Sequence, residues 1–174
     1  MTVEGVYTSA AAFSRQTLGP VTFSLVFPLY CKLISANKMA DKILGTYDLV
    51  ESKDFDKYME AIGVGFLMRK MANSTTSMQV EISQNGDDFT IKSISKLKTS
   101  EVKFKLNQET KETTMDGREV LSTFTLDGNT LTQVQKGIKD PSFVSTIERK
   151  FTSEGMVATL KHKDVVAVRT YKKI

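Results

Sequence analysis

The stretch MQVEISQNGD, residues 78–87, decides the fold class. Apolar side chains at Met78, Val80 and Ile82 alternate with polar ones, which is the period of a half-buried β-strand. Asn85-Gly86-Asp87 then supplies the residue types that tight hairpin turns require. The stretch therefore predicts one strand of an antiparallel sheet, followed directly by a turn into the next strand.

The same alternation continues along the chain. Val102, Phe104 and Leu106 again alternate with polar and charged residues. Turn signals recur at Asp116-Gly117, Asp127-Gly128-Asn129, Ser153-Glu154-Gly155 and Lys163-Asp164. Together with a first strand at residues 45–50, the runs predict about ten strands. Short loops make neighbouring strands antiparallel, and a meander of this length removes its edges most economically by closing into a barrel. A barrel of more than about eight strands is expected to enclose a cavity.

Two short helices are predicted between the first strand and the rest of the sheet. Asp54 is expected to cap a helix over residues 55–62, whose apolar residues form one stripe. Gly63 and Gly65 end it, and a second helix covers about residues 66–72. The predicted fold is all-β: a ten-stranded antiparallel β-barrel with a helix-turn-helix lid between its first two strands.

Composition narrows the function classes. The chain has 174 residues, 40% apolar and 25% charged, as expected for one globular domain or a domain with an extension. The net charge of +4 is spread out, so we expect no nucleic-acid partner. Cys31 is the only cysteine, which excludes an intrachain disulfide and weakly favours a reducing compartment. His162 is the only histidine and is expected to be exposed at a turn, so we expect neither a metal site nor a cofactor.

Residues 1–38 differ from the remainder in holding one acidic residue, Glu4. Three features argue against a secretory signal: the acidic Glu4, the late position of the apolar patch at residues 21–27, and the lack of a cleavage site with small residues. An organelle-targeting segment would contain more arginine. We therefore expect residues 1–38 to be an N-terminal extension, disordered or outside the core, and residues 39–174 to be the β-barrel domain.

Two arginines stand on apolar strand faces. In a strand, Ile147, Arg149 and Phe151 share one face, and Arg169 shares a face with Tyr171. A buried arginine is costly unless an anion meets it. The pattern leaves three possibilities: an outward-facing strand surface, pairing with internal carboxylates, or binding of an acidic ligand.

The ordered motifs of residues 40–174 resemble the intracellular fatty-acid-binding proteins, which are cytosolic lipid-binding proteins of the calycin superfamily. The motifs are Gly45-Thr46-Tyr47-Asp48-Leu49, Phe55-Asp56-Lys57-Tyr58-Met59, Gly63-Val64-Gly65-Phe66, Arg69-Lys70, Asn85-Gly86-Asp87, Asp116-Gly117-Arg118, Thr125-Leu126-Asp127-Gly128, Thr146-Ile147-Glu148-Arg149 and Arg169-Thr170-Tyr171. The resemblance implies a ten-stranded β-clam that holds one long-chain fatty acid. It further implies a carboxylate clamp at Arg149, Arg169 and Tyr171.

Several expectations accompany this resemblance. Phe55, Tyr58 and Met59 are expected to be lid residues with some contact to the ligand tail. Arg69 and Lys70, with Lys96 and Lys98, either form only a solvated charged surface or belong to a basic portal that contacts anionic membranes transiently. Tyr47 stands where many members carry tryptophan, which we interpret as a structural change. One extra residue between Ala72 and Met78 could alter the portal.

The expected function is that of a cytoplasmic monomeric carrier, with nuclear access, that transports or buffers a fatty acid. Retinoic acid is the alternative ligand, because that branch of the family also uses Arg-x-Tyr. A secreted lipocalin-like transporter would require a cleaved signal and usually disulfides. An enzyme such as an esterase is not expected, because no Gly-x-Ser-x-Gly motif is present.

Overall fold

The computed structural model describes residues 42–74 and 77–174, which contain two helices and ten strands. The helices are α1 (Phe55–Ala61) and α2 (Phe66–Ser74). The strands are β1 (Gly45–Lys53), β2 (Met78–Asn85), β3 (Asp88–Ser95), β4 (Thr99–Phe104), β5 (Glu109–Thr113), β6 (Glu119–Asp127), β7 (Thr130–Gly137), β8 (Val144–Phe151), β9 (Gly155–His162) and β10 (Val165–Lys173). Both helices lie between β1 and β2, as predicted.

The ten strands form one antiparallel sheet in the order β4-β3-β2-β1-β10-β9-β8-β7-β6-β5. The sheet curls into a nearly closed barrel because β1 pairs with both β2 and β10. Within the described residues, the edge strands β4 and β5 share no backbone ladder. The Thr110 hydroxyl instead donates a hydrogen bond to the Lys103 carbonyl across this gap, at 3.3 Å. The predicted closure is therefore correct for nine strand pairs and incomplete at the tenth.

The core is formed mainly by inward-facing side chains of the strands. Tyr47 is fully buried, donates a hydrogen bond to the Ile43 carbonyl at 3.0 Å and packs edge-on against Phe151 with 5.5 Å between ring centroids. Phe104 stacks on Phe124 at 3.6 Å between centroids. These contacts make Tyr47 a structural residue, in agreement with the interpretation of the sequence.

Helix boundaries differ slightly from the prediction. Asp54 precedes α1 at the cap position, but its side chain makes no capping hydrogen bond. Its backbone is left-handed, with φ 56°, and its carboxylate forms an ion pair with Lys57 at 2.8 Å. α1 ends one residue before Ile62, and α2 continues two residues past Ala72.

The expectation that His162 is exposed is wrong. His162 is the last residue of β9 and is 4% exposed, because it continues the inward-facing alternation of Ala158 and Leu160. Its Nδ1 lies 2.7 Å from the Val144 carbonyl oxygen, and its ring stacks on Phe143. The turn consists of Lys163 and Asp164 alone, with Lys163 at φ 52°.

Three predictions fall on residues outside the described ranges. They concern the extension at residues 1–38, the lone Cys31, and part of the insertion between Ala72 and Met78. In the described part of the chain, neither helix is long and apolar enough to span a membrane.

Candidate functional site

A cavity of about 360 Å³ lies inside the barrel and is lined by Arg149, Arg169 and Tyr171. The structure thus brings together the three residues predicted as a clamp. Arg149 lies on β8, and the other two lie on β10. Ala158 of the intervening β9 is the register partner of both arginines. Strands two positions apart are separated by about 10 Å, which two long arginine side chains can span above a small alanine.

Arg149 is held by a polar chain that sequence analysis missed. Its Nη1 donates a hydrogen bond to Oε1 of Gln133 at 3.0 Å, and the Gln133 amide donates to Oε2 of Glu112 at 2.7 Å. The same carboxylate oxygen accepts hydrogen bonds from Ser122 and, at 3.2 Å, from Gln135. Arg149 is therefore linked to an internal carboxylate through one glutamine.

The charge of Arg149 persists despite its surroundings. Burial lowers the pKa of Arg149, while the neighbouring Tyr171, Glu112 and Tyr58 oppose that shift. An arginine side chain starts so far above neutrality that it stays protonated in a protein. The cavity therefore contains a permanent cation that has lost most of its water.

Arg169 has a different environment. It is 8% exposed, its Nη1 lies 3.0 Å from the Met78 sulfur, and its guanidinium carbon lies 4.2 Å above the Phe55 ring centroid. None of the described residues accepts a hydrogen bond from its Nε. Throughout residues 42–74 and 77–174, no carboxylate forms an ion pair with Arg169 or with Arg149. Both guanidinium groups are thus available to an anion that enters the cavity.

Tyr171 supplies a neutral donor beside these cations. It is 5% exposed, and its ring lies 5.8 Å from the Arg169 guanidinium carbon. Burial raises the pKa of Tyr171, against the opposing effect of Arg169 and Arg149. The hydroxyl therefore remains protonated at neutral pH and can donate a hydrogen bond to a carboxylate.

The lid residues Phe55, Tyr58 and Met59 all line the cavity. The Tyr58 hydroxyl and Ser145 Oγ are 2.6 Å apart, which ties α1 to β8. Phe55 stacks on Tyr58 and also faces Arg169, which ties α1 to β10. Contact of these residues with a ligand tail remains a prediction.

The side chains of Arg69 and Lys70 have different surroundings. Arg69 is paired with Glu60 at 2.9 Å and with Asp56 at 3.4 Å, and its side chain is 15% exposed. Lys70 is exposed, with its ammonium group 4.7 Å from the Phe66 ring centroid. The portal role of both residues remains a prediction. Of the two, only Lys70 lacks an ion-pair partner within the described part of the chain.

An ion pair between Arg118 and Asp116, with 2.5 Å between Nε and Oδ2, lines the cavity wall. Burial alone would raise the pKa of Asp116, but hydrogen bonds from Arg118 and Thr114 bring it below its usual value. The Arg118 guanidinium also lies 4.8 Å from the Phe143 ring centroid. Sequence analysis recognised Asp116-Gly117-Arg118 only as a turn and a family motif.

The sequence contains a signal for some of the polar cavity residues that sequence analysis missed, but not for all of them. Gln133 and Gln135 share the inward face of β7 with Leu131, so the alternation that singled out Arg149 also marks them. Glu112 lies in β5, whose sequence ETKET contains no apolar residue to mark the inner face. Nothing in the local pattern could have assigned Glu112 to the cavity.

Comparison with known proteins gives consistent matches. Residues 44–174 match the lipocalin / cytosolic fatty-acid binding protein family. Sodium/calcium exchanger regulatory protein 1 of Doryteuthis pealeii is 43% identical over 136 residues, which cover 78% of this chain and 99% of the relative. A fatty acid-binding protein of Drosophila melanogaster brain is 46% identical, with a TM-score of 0.67 over 73% of this chain and 95% of that one. The Schistosoma mansoni fatty acid binding protein, solved with arachidonic acid, is 32% identical, with a TM-score of 0.73 over 78% of this chain and 98% of that one.

Proposed function

Because the chain belongs to the lipocalin / cytosolic fatty-acid binding protein family, we propose that it binds one long-chain fatty acid non-covalently in the barrel and carries it through the cytoplasm. The observation that carries the proposal is the pair of cavity arginines, neither of which has an ion-pair partner among the described residues. A ligand carboxylate provides the anion that these cations lack. The protein acts as a monomer, and no bond in the ligand is broken.

The carboxylate head and the hydrocarbon tail of the ligand contribute differently to the binding free energy. Each charge-assisted hydrogen bond to the carboxylate contributes about 1.5–3 kcal/mol net. Burying about 15 carbon groups at about 0.8 kcal/mol each contributes on the order of 12 kcal/mol before ordering costs. Affinity therefore comes mainly from the tail, while Arg149, Arg169 and Tyr171 select acids over esters and alcohols.

The test compares oleate, methyl oleate and retinoic acid as competitors for a bound fluorescent acyl probe. We expect oleate to bind at least tenfold more tightly than its methyl ester, because only oleate carries the anion. Equal affinities would overturn the proposal. Tighter binding of retinoic acid than of oleate would favour the retinoid alternative. Native mass spectrometry of protein purified from its source, without delipidation, identifies the natural ligand directly.

Contact with anionic membranes is proposed through α2. Four large apolar residues of this helix are exposed: Phe66 at 59%, Leu67 at 75%, Met68 at 48% and Met71 at 46%. Exposed apolar side chains next to a cation suit a surface of anionic lipids. Lys70→Gln should slow oleate transfer to anionic vesicles and leave transfer to neutral vesicles unchanged. Lys172→Gln, at an exposed lysine of β10, is the matched control; equal slowing by both variants would contradict a role for α2.

A second candidate function is regulation of a membrane transport protein. It is favoured by the 43% identity to a relative named sodium/calcium exchanger regulatory protein 1. Adding the ligand-loaded protein to membrane vesicles that contain such an exchanger should change the calcium flux. Arg169→Gln separates the functions, because an effect that persists without fatty-acid binding would not arise from ligand delivery.

A further inference from the structure

We propose that Met78 is a positioning residue for Arg169, and that its thioether strengthens the preference of the site for acids. The inference rests on the proposed function, in which the ligand is a carboxylic acid. Met78 begins β2 and Arg169 lies in β10, with β1 between them in the sheet. The long unbranched side chain of Met78 reaches the guanidinium and places its sulfur 3.0 Å from Nη1.

Two weak partners hold Arg169 in place. The Phe55 ring lies 4.2 Å from the guanidinium carbon, so a cation–π interaction restrains one face of the group. The Met78 sulfur accepts a hydrogen bond from Nη1, at the end of the guanidinium group, but a thioether is only a weak acceptor. Neither partner carries a charge. Arg169 is therefore oriented without being neutralised.

The contrast with Arg149 shows why the weakness matters. Arg149 donates to Gln133, which in turn donates to the Glu112 carboxylate, so part of its charge is already compensated. A glutamate or aspartate at position 78 would likewise form the ion pair that the ligand should make. A hydrocarbon there would leave the guanidinium end with no acceptor. A thioether lies between these extremes, orienting the cation while leaving it free for an incoming carboxylate.

A purely packing role for Met78 is the competing explanation. All the methionines of the described residues line the cavity, namely Met59, Met68, Met71, Met78, Met115 and Met156. Unbranched thioether side chains adapt to irregular ligands, so each could serve only to contact the tail. Packing affects oleate and methyl oleate alike, whereas positioning of Arg169 affects oleate alone.

The experiment measures the ratio of oleate to methyl oleate affinity in Met78 variants. Met78→Leu preserves volume and removes the acceptor; we expect the ratio to fall about three- to tenfold, the effect of losing one weak hydrogen bond. Met78→Gln restores a neutral acceptor, as Gln133 provides for Arg149, and should recover most of the preference. Met78→Glu should reduce the preference further than Met78→Leu, because its carboxylate competes with the ligand.

Met156→Leu is the matched control, because Met156 lines the cavity and has no hydrogen bond to Arg169. It should change the affinity for both ligands equally. Loss of both affinities in parallel in Met78→Leu, or an unchanged ratio in Met78→Glu, would overturn the positioning role while leaving the carrier function intact. If the unsubstituted protein shows no preference for oleate, the proposed function fails, and the inference fails with it. Circular dichroism verifies folding of each variant, and Met78→Glu decides the question if Met78→Leu does not fold.

Discussion

Arg149 and Arg169 lie at the same level of the barrel, because Ala158 on β9 is the register partner of each. The methyl group between them leaves space for both guanidinium groups to approach one anion. Each arginine has its own partner, Gln133 for Arg149 and Met78 for Arg169. The two cations of the proposed clamp are therefore oriented separately and can be tested separately.

Replacing Arg149 tests the clamp directly. Arg149→Gln should weaken oleate binding about 10- to 150-fold, because a charge-assisted bond is lost. The free energy of unfolding should change much less, because the variant also removes a desolvated cation. Lys150→Gln, exposed on the opposite face of the same strand, should change neither quantity. Unchanged oleate affinity in Arg149→Gln would remove this residue from the clamp.

Removing the Glu112 carboxylate should strengthen oleate binding, whereas removing Arg149 should weaken it. Glu112→Gln deletes the negative charge that partly compensates Arg149 and repels a ligand carboxylate. We expect oleate affinity to increase about threefold or more. The free energy of unfolding should fall by about 1 kcal/mol, because a neutral amide oxygen accepts the hydrogen bonds from Gln133, Ser122 and Gln135 less strongly than the carboxylate does. Calorimetric titration and thermal unfolding measure the two effects. Glu109→Gln, outward-facing on the same strand, serves as the control; weaker oleate binding in Glu112→Gln would contradict this role.

The tether between lid and barrel predicts a kinetic effect. Tyr58→Phe removes the 2.6 Å hydrogen bond to Ser145, which should lower stability by about 0.5–1.5 kcal/mol and speed the release of oleate. Ser145 keeps the Lys161 carbonyl as a hydrogen-bond acceptor, so no buried hydroxyl is left unpaired. Tyr47→Phe removes a comparable hydrogen bond, whose acceptor is the Ile43 carbonyl outside the lid helices, and should leave the release rate unchanged. Stopped-flow transfer measurements that give equal rates for both variants would contradict the tether.

Stability should fall in alkaline solution. Burial raises the pKa of Tyr47 to about 12 from 10.0. Between those values the unfolded chain loses this proton and the folded protein keeps it, so the folded state binds more protons. The free energy of unfolding therefore decreases as the pH rises from 10 to 12. In Tyr47→Phe the slope should be shallower, with a residual slope from Tyr58 and Tyr171, whose pKa burial also raises. Denaturant unfolding with identical slopes in the two proteins would contradict this assignment.

Any side chain at Gly155 is predicted to lower stability for steric reasons. A Cβ atom at this position would overlap the carbonyl oxygen of Tyr171 on the neighbouring strand. Gly155→Ala should therefore lower stability by about 1–3 kcal/mol and weaken oleate binding by displacing the clamp tyrosine. A Cβ at Gly65 meets no atom within 4 Å, so Gly65→Ala should be tolerated. Equal stability of the two variants would contradict the close approach of β9 and β10.

Local alternation singled out the site residues but did not assign their role. Arg149 stands between Ile147 and Phe151 on one strand face, a position that left three possibilities open, and only the resemblance to the family implied a clamp. The ten strands and two helices follow from the same periodicity and from turn residues. The buried His162 also obeys the alternation, and the error came from assigning the last residues of β9 to the turn.

Other features arise only from tertiary contacts. The hydrogen bond from Arg169 to Met78 joins residues 91 positions apart, and no local pattern encodes it. Glu112 has no apolar neighbours within its strand to indicate a face. The unpaired edge between β4 and β5 depends on how far the curled sheet closes, which is determined by the packing of the entire barrel.

The pairing of β1 with β10 also determines when the barrel can fold during synthesis of the chain. Tyr47 aligns with Lys173, so the first strand completes its hydrogen bonds only with the last strand of the barrel. Contacts of such long sequence separation slow folding, because the connecting chain must be ordered before they form. Arg169 and Tyr171 lie on that last strand as well. A nascent chain therefore contains no complete ligand cavity until β10 has left the ribosome.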